Sequence, residues 1–133
     1  MQEKYRNKHN VPPLPPWAEE RYRNDAIFRA HSDYTFRLKL RALQIISGEE
    51  VPHCRNCGCS YIFALGVNHK NGGGTAERKA NDTLGSKFYR AIVNGDRKTD
   101  DLEVLCHPCN VAEYLFRRCR AVFEIKFIGI RRR

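Results

Sequence analysis

The chain has 133 residues, and its 24 lysines and arginines against 15 aspartates and glutamates give a formal net charge of +9. Hydrophobic residues make up 41% and aromatic residues 11%, which is enough for a modest core and excludes a wholly disordered chain. No apolar run approaches the ~18 residues of a transmembrane helix. The N-terminus is polar and basic, without the apolar stretch of a secretory signal. We therefore expect a cytoplasmic protein with no membrane partner.

The positive charge, with a sequence pI near 9.5, indicates a polyanionic partner. Nucleic acid is the first candidate and an anionic membrane surface is the second. A basic protein without such a partner is the remaining alternative.

Residues 1–16 are predicted to form a flexible, proline-rich tail. The sequence VPPLPP at residues 11–16 favours polyproline II geometry and cannot continue a helix. A stiff spacer is the main interpretation. A ligand for a proline-recognising module is the alternative.

Residues 17–50 have a helical and basic pattern. One helix is predicted over residues 18–30, with a bend near residues 24–25. A second helix is capped by Ser32 or Asp33 and ended by Gly48. One apolar stripe on the second helix is formed by Phe36, Leu40 and Leu43. Three basic side chains leave that stripe, and they face either solvent or a nucleic-acid backbone: Arg37, Lys39 and Arg41.

The rest of the chain mixes strands and helices. Short apolar segments predict strands over residues 61–67 and 102–105. Helices are predicted over residues 86–93 and from Pro108 to about residue 120, and residues 122–130 alternate as a terminal strand does. Val111, Leu115 and Cys119 share one face of the helix that starts near Pro108, so we expect Cys119 to be a core thiol.

Two CxxC pairs are the strongest chemical signal. Each pair, Cys54–Cys57 and Cys106–Cys109, can present two thiolates from one tight turn, and two such turns complete a tetrahedral zinc shell. Closing the intervening loop costs roughly 2–4 kcal/mol, whereas structural zinc supplies about 10–16 kcal/mol. A shell of four cysteines has no open position, so we expect a structural Zn²⁺. Cys59 or His53 could replace a member of the first pair.

The residues between the two pairs carry a family resemblance. CxxC is followed by an apolar segment ending in Asn68-His69, then by three glycines at 72–74, and then by LEVLCHPCN at residues 102–110. This order, over about residues 54–116, resembles the HNH nucleases. It is most similar to the zinc-bearing, glycine-rich type found in phages and mobile elements.

The resemblance implies an α+β fold, namely a small zinc-stapled ββα-metal (treble-clef-like) core with a basic helical N-terminal extension. It implies that His69 is the general base that takes a proton from the attacking water. Asn68 and Asn110 would bind a catalytic divalent ion, Mg²⁺ or Mn²⁺. The expected products carry a 5′-phosphate and a 3′-hydroxyl.

This chain departs from the family pattern at the metal-binding positions. The family usually has Asp or His where this chain has Asn68, and often has His where it has Asn110. Neutral amides hold Mg²⁺ more weakly than carboxylates do. The central Asn of the family, which braces the glycine-rich loop, is replaced here by Asp101 or Asp100, or is absent. A turn-forming role for Asn68 and a helix-capping role for Asn110 are the structural alternatives.

Basic side chains around these motifs are candidate contacts to DNA phosphates, and any one of them could equally be a solvated surface charge. Arg117 lies seven residues after Asn110 and so shares a helix face with it. The predicted contacts are Lys70, Lys87, Arg90, Arg117 and Arg118.

We therefore predict three segments: the tail 1–16, the helical extension 17–50 and an HNH-like zinc domain 51–133. The expected function is metal-dependent hydrolysis of DNA phosphodiester bonds, in the host-cell cytoplasm if the gene belongs to a phage. A catalytically inactive zinc-ribbon module that binds nucleic acid is the alternative. A dimer is possible, because one metal site cuts one strand.

Overall fold

The computed structural model describes residues 12–30, 33–72, 74, 77 and 86–119, and it has a mixed α+β fold. Five helices, one 3₁₀ turn and two strands occur in the described residues. In chain order they are α1 (Pro16–Tyr22), α2 (Ala26–Ala30), α3 (Asp33–Ser47), the 3₁₀ turn (Ile62–Ala64), β1 (Leu65–His69), α4 (Ser86–Val93), β2 (Leu102–Cys106) and α5 (His107–Arg118). None of these helices is long and apolar enough to cross a membrane.

The first helix begins at the end of the proline-rich segment. Pro15 has φ −68° and ψ 149°, which is polyproline II geometry, and Pro16 takes the first helical position, where its missing N–H costs nothing. Leu14 packs against the core. The predicted bend near residues 24–25 is a true break, because the Asp25 carboxylate accepts the backbone N–H groups of Ile27 and Phe28 and caps α2.

Helix α3 confirms the predicted apolar stripe but not a fully solvent-facing basic side. Phe36, Leu40 and Leu43 are buried, and the helix ends before Gly48, which has φ +71°. Arg37, however, is only 4% exposed. Lys39 is half-buried, and burial lowers the pKa of its ammonium. Arg37 is therefore not available to lie along a nucleic-acid backbone.

Strands β1 and β2 form an antiparallel hairpin across the long glycine-rich connection. Leu65 pairs with Cys106 at one end and His69 with Leu102 at the other. The prediction of a strand over residues 61–67 is wrong at its start, because residues 62–64 form the 3₁₀ turn instead. The buried Tyr22 hydroxyl takes the backbone N–H of Ile62 at 3.0 Å, a long-range contact that overrides local strand propensity.

One apolar core joins the N-terminal helices to the hairpin. Its buried members run from Ala18 and Tyr22 of α1 to Leu105 and Cys106 of β2. Tyr22 also makes ring contacts with three aromatic side chains, Phe36, Tyr61 and Phe63. The predicted boundary at residue 50 does not interrupt this core, and the division into three segments stays a prediction.

Helix α5 confirms the predicted helix after Pro108, but its apolar face is not buried by the described residues. Val111 is 40% and Leu115 is 43% exposed, and Cys119 is exposed as well. The prediction that Cys119 is a core thiol is therefore wrong within the part of the chain that the structure describes. The predicted terminal strand, residues 122–130, lies outside the described residues.

Candidate metal centre and active site

The four predicted cysteines form one compact cluster. The Sγ atoms of Cys54, Cys57, Cys106 and Cys109 all lie within 4.8 Å of one another. The Cys57 and Cys106 sulfurs are 3.6 Å apart. Tetrahedral Zn–S bonds of about 2.3 Å place sulfurs about 3.8 Å apart, so the cluster has dimensions that fit a structural zinc ion. Cys59 lies outside this cluster, and His53 pairs instead with Glu49 at 3.5 Å.

Each CxxC turn of the cluster is called a knuckle here, the first being Cys54–Cys57 and the second Cys106–Cys109. Backbone hydrogen bonds shape the first knuckle and attach it to the hairpin. The Cys54 N–H donates to the Cys59 carbonyl at 2.7 Å, and Gly58 takes φ +83° to close the turn. The Arg55 N–H donates to the Val104 carbonyl of β2 at 2.9 Å. The second knuckle needs no such link, because Cys106 ends β2 itself and Cys109 lies in the first turn of α5.

Without a metal ion, the thiols of the cluster have pKa values shifted in opposite directions. Burial raises the pKa of Cys54, but backbone N–H donors from Cys106, Cys57 and Asn56 outweigh it and bring the pKa to about 6. Burial raises the pKa of Cys106 to about 12. A bound dication would hold all four groups as thiolates, so protons and metal compete for this site.

His69 lies at the end of β1, where the hairpin opens into the glycine-rich connection. Its side chain is 15% exposed, and its ring centroid lies 5.9 Å from that of Phe88. Its Nε2 atom is 2.9 Å from the Oε1 atom of Glu77. The structure thus places His69 in a mostly buried position, with a carboxylate on one ring nitrogen.

Arg97 fixes that carboxylate. Its Nε and Nη2 atoms donate to the two carboxylate oxygens of Glu77 at 2.9 and 2.8 Å. Its Nη1 and Nη2 atoms donate to the two oxygens of Asp101 at 2.8 and 2.9 Å, and Nη1 also donates to the Lys98 carbonyl. All five guanidinium N–H groups therefore have an acceptor.

His69, Glu77 and Asp101 also have the spacing of a metal site, since their candidate ligand atoms lie within 4.8 Å of one another. The Arg97 guanidinium already bridges the two carboxylates. Hydrogen bonds from Arg97 lower the pKa of both Glu77 and Asp101, and these bonds raise the pKa of Arg97. Arg97 thus supplies the positive charge that a metal ion would otherwise bring.

Two of the three glycines have identifiable roles. Gly72 has φ +78°, and a Cβ atom there would lie 3.1 Å from Nη1 of Arg117. A Cβ atom on Gly74 would lie 3.0 Å from Nδ1 of His69. The glycine-rich connection therefore approaches the imidazole of the candidate base itself.

Asn68 lies beside His69 in sequence but faces the other side of the hairpin, as neighbours in a strand do. It is 7% exposed, and its Nδ2 atom donates to the Oε2 atom of Glu103 at 2.8 Å. Glu103 is its direct cross-strand partner and is also 7% exposed. Asn110 is half-buried in the first turn of α5. The roles predicted for both asparagines stay predictions.

The five basic residues predicted to contact DNA differ in their exposure and in their hydrogen-bond partners. Arg117 points at the connection after β1, where its Nη2 atom donates to the carbonyls of His69 at 3.4 Å and Lys70 at 3.0 Å. Lys70 is exposed, and its Nζ atom donates to the Asp100 carbonyl. The side chains of Lys87 and Arg118 are exposed, and that of Arg90 is half-buried.

Of the two aspartates considered for bracing, Asp101 makes the fuller set of contacts. Its carbonyl accepts the Lys70 N–H at 2.8 Å, and its carboxylate binds Arg97. Asp100 contributes a carbonyl to the Lys70 ammonium. The connection after β1 is thus fastened to the start of β2 next to His69.

Sequence reasoning missed three residues of this region: Glu77, Arg97 and Glu103. Glu103 had a signal, because it is the one charged residue in the strand LEVLC. The other two lie far apart in polar segments that have no periodicity, so no spacing rule pairs them. Comparison with protein-family models, with curated proteins and with solved structures finds no match.

Proposed function

We propose that this protein is a metal-dependent DNA endonuclease of the HNH type, with a ββα-metal core and a structural zinc ion. The observation that carries the proposal is the placement of His69 at the open end of a hairpin whose other end adjoins the four-cysteine cluster. The order of cysteine knuckle, strand, histidine, glycine-rich connection, strand and knuckle is the order that the family resemblance rests on.

In the proposed reaction, His69 accepts a proton from a water molecule near the scissile phosphate. The water oxygen forms a bond to phosphorus as the bond from phosphorus to the 3′ oxygen breaks. The 3′ oxygen takes its proton from solvent. A mostly buried imidazole held on one side by a carboxylate is well oriented for this transfer, since little rotation is left to the ring.

The divalent ion that the family uses would neutralise charge on the phosphate and on the leaving oxygen. Asn68 and Asn110 offer only neutral oxygens. The Glu103 carboxylate beside Asn68 carries the charge that a hard cation prefers, and the Arg55 guanidinium, which pairs with Glu103 at 3.4 Å, would compete with the cation for it. Because Nδ2 of Asn68 donates to Glu103, its Oδ1 atom is the one available to a cation. These three side chains are the proposed holders of Mg²⁺ or Mn²⁺. Since Asn68 and Glu103 lie on the hairpin face opposite to His69, the phosphate would lie across the end of β1, with the ion on one side and the base on the other.

A plasmid assay tests the proposal. Zinc-loaded protein is incubated with supercoiled plasmid in Mg²⁺, in Mn²⁺ and without added divalent ion, with zinc content measured before and after. We expect nicking that requires Mg²⁺ or Mn²⁺ and falls by about 10²-fold or more in His69→Ala. Cleavage by His69→Ala at the parental rate would overturn the assignment of the base.

The control for surface charge and folding is His53→Ala. Like His69, this histidine pairs with a glutamate, but it lies next to Cys54 in the sequence and outside the candidate active site. We expect it to leave the cleavage rate unchanged. A parallel loss in both variants would mean that folding, and not general-base chemistry, had been tested.

A zinc module that binds nucleic acid without cutting it is the second candidate. The burial of Asn68 and its hydrogen bond to Glu103 favour it, since a tightly packed amide is a poor site for a metal. This function predicts a plasmid that is shifted but uncut in every metal, with affinity that falls steeply as salt rises.

A further inference from the structure

Because Arg97 occupies both oxygens of Glu77, we infer that the Glu77–Arg97–Asp101 array is a positioning device that makes Nδ1 of His69 the proton acceptor. This inference rests on the proposed function, because Nδ1 of His69 has a proton to accept only if the protein hydrolyses phosphodiester bonds. Neither Glu77 nor Arg97 touches the reacting atoms in this assignment. They act through the imidazole of His69.

The first step concerns the proton on Nε2. Glu77 lies 2.9 Å from Nε2 of His69, and its carboxylate accepts hydrogen bonds from Arg97 on both oxygens. A carboxylate beside a guanidinium stays ionised, and an ionised carboxylate can only accept hydrogen bonds. Nε2 of His69 must then be the donor. The neutral imidazole is therefore held as the Nε2–H tautomer, with the lone pair on Nδ1.

The second step concerns access to that lone pair. A methyl group at position 74 would lie 3.0 Å from Nδ1 of His69, so any residue with a side chain there would crowd this nitrogen. By comparison, a Cβ atom on Gly66, in β1, would have no neighbouring atom within 4 Å. The glycine at 74 thus leaves room at the one nitrogen that can accept a proton.

The third step concerns rigidity. Every N–H group of Arg97 has an acceptor, and Asp101 is further joined to the connection through its carbonyl and the Lys70 N–H. Glu77 is 19% and Arg97 is 21% exposed, so water competes only partly for these bonds. A carboxylate held at both oxygens cannot rotate away from the histidine, which fixes the plane of the ring.

The first measurement reports the tautomer of His69 independently of any cleavage activity. Long-range ¹H–¹⁵N correlation spectra of the zinc-loaded full chain, recorded over a series of pH values, report which nitrogen of His69 carries the proton in the neutral ring. We expect the Nε2–H form in the parent and a mixture in Glu77→Ala. In Glu77→Asp the carboxylate is kept, and we expect the parental tautomer to return in part.

Plasmid cleavage by the same variants supplies the second readout. We expect kcat in Glu77→Ala and Arg97→Gln to fall about 10- to 100-fold with KM nearly unchanged, with partial recovery in Glu77→Asp. Glu49→Gln is the matched control, because it alters an exposed carboxylate that pairs with His53, and it should cut at the parental rate.

Three results would overturn the inference: the Nδ1–H tautomer in the parent, an unchanged tautomer in Glu77→Ala, or full activity in Glu77→Ala. If the parent shows the Nε2–H form but cuts no DNA in any metal, the endonuclease proposal fails and with it the role of Nδ1 as base. The pairing of His69 with Glu77 would still hold in that case.

A metal titration excludes the competing occupant of this cluster. If Mn²⁺ were to displace Arg97 and bind His69, Glu77 and Asp101, it would broaden the His69 signals at stoichiometric concentration, and Arg97→Gln would tighten its binding. That result would overturn the positioning role of Arg97. We expect instead that the His69 signals respond equally little to Mn²⁺ in the parent and in Arg97→Gln.

Discussion

Asn68 and Glu103 face each other across the β1–β2 ladder, with the amide nitrogen 2.8 Å from a carboxylate oxygen. Both side chains are 93% buried, since each is 7% exposed. This pair places a carboxylate next to the position at which the resemblance expects Asp or His as a metal ligand. It also makes position 68 the most informative place for a substitution.

Asn68→Asp should make the protein depend on divalent ions. Without them, two carboxylates would lie directly opposite each other, and the loss of the hydrogen bond plus the repulsion should cost about 1–3 kcal/mol of unfolding free energy. Mg²⁺ or Mn²⁺ should restore the melting temperature and raise the cleavage rate above that of the parent. Calorimetry with and without Mg²⁺ measures the first effect.

Asn94→Asp is the control for that experiment, because it adds the same charge at an exposed turn after α4. It should melt like the parent in every buffer. A melting temperature of Asn68→Asp that ignores Mg²⁺ and Mn²⁺ would contradict a divalent site between positions 68 and 103.

Removal of a zinc ligand should unfold the core and not only the knuckles. Cys54 and Cys106 belong to the buried cluster that also contains Leu65 and Leu105. We expect one zinc ion per chain in the parent, and a loss of zinc with a fall of several kcal/mol in stability for Cys106→Ser. Cys119→Ser, at an exposed thiol outside the cluster, should keep the parental zinc content and the parental stability. Equal zinc content in the two variants would count against the four-cysteine site.

Tyr22→Phe should show that the N-terminal helices and the hairpin fold as one unit. The Tyr22 hydroxyl accepts the buried N–H of Ile62 at 3.0 Å and donates to the Ser60 carbonyl at 3.3 Å. Its removal leaves a buried donor without a partner, so we expect a loss of about 1–3 kcal/mol in a single cooperative denaturation. Tyr114→Phe, at a side chain that is 56% exposed, should change stability by less than about 0.5 kcal/mol. Two separate unfolding transitions would argue against one shared core.

Arg97→Gln should remove an acid-sensitive part of the stability. The pKa values of Glu77 and Asp101 are lowered by Arg97 from their ordinary 4.5 and 3.8. Groups with a depressed folded-state pKa stabilise above the ordinary value and lose that contribution as pH falls through the folded one. The parent should therefore be more stable than Arg97→Gln above pH 4.5, and the difference should shrink as pH falls below that value.

The size of that difference should be about 1 kcal/mol or less, because Asp101 is 47% exposed and water screens its ion pair. Urea denaturation at a series of pH values measures it. Both proteins share the four-cysteine cluster, so protonation of its thiols cancels in the comparison. A difference that grows as pH falls would mean that Arg97 stabilises through something other than these carboxylates.

Gly74→Ala should displace the His69 ring while leaving the fold intact. The new methyl group would lie 3.0 Å from Nδ1, which is tighter than nine in ten Cβ contacts, so the imidazole would have to move by a few tenths of an ångström. We expect shifted His69 resonances and a cleavage rate about tenfold lower, with no loss of melting temperature. Gly66→Ala meets nothing within 4 Å and should leave the His69 resonances and the rate unchanged. Unshifted His69 signals in Gly74→Ala would show that the connection does not restrict the His69 ring.

Spacing within the sequence predicted much of the local structure. The helix over residues 86–93, the helix after Pro108 and the end of the third helix at Gly48 are confirmed. So is the grouping of the four cysteines. These features depend on residues a few positions apart, whose relative direction is fixed by helix and turn geometry.

Burial of single side chains was less predictable. Cys119 occupies the apolar face of its helix but is exposed, while Arg37 on the polar side of α3 is buried. Periodicity identifies a face of a helix, but it does not say which neighbouring element covers that face. The start of β1 was wrong for a similar reason, because Tyr22, forty residues earlier than Ile62, holds the N–H that a longer strand would use.

The sequence by itself determined the chemistry that this protein can contain: two cysteine knuckles, one histidine before a run of glycines, and a strongly basic charge. Only the tertiary structure decided which side chains meet. Glu77, Arg97 and Asp101 converge on His69, and Glu103 lies opposite Asn68, because the hairpin register and the long connection bring distant polar residues together. Such contacts follow no sequence period, since they arise from packing between elements and not from the geometry within one.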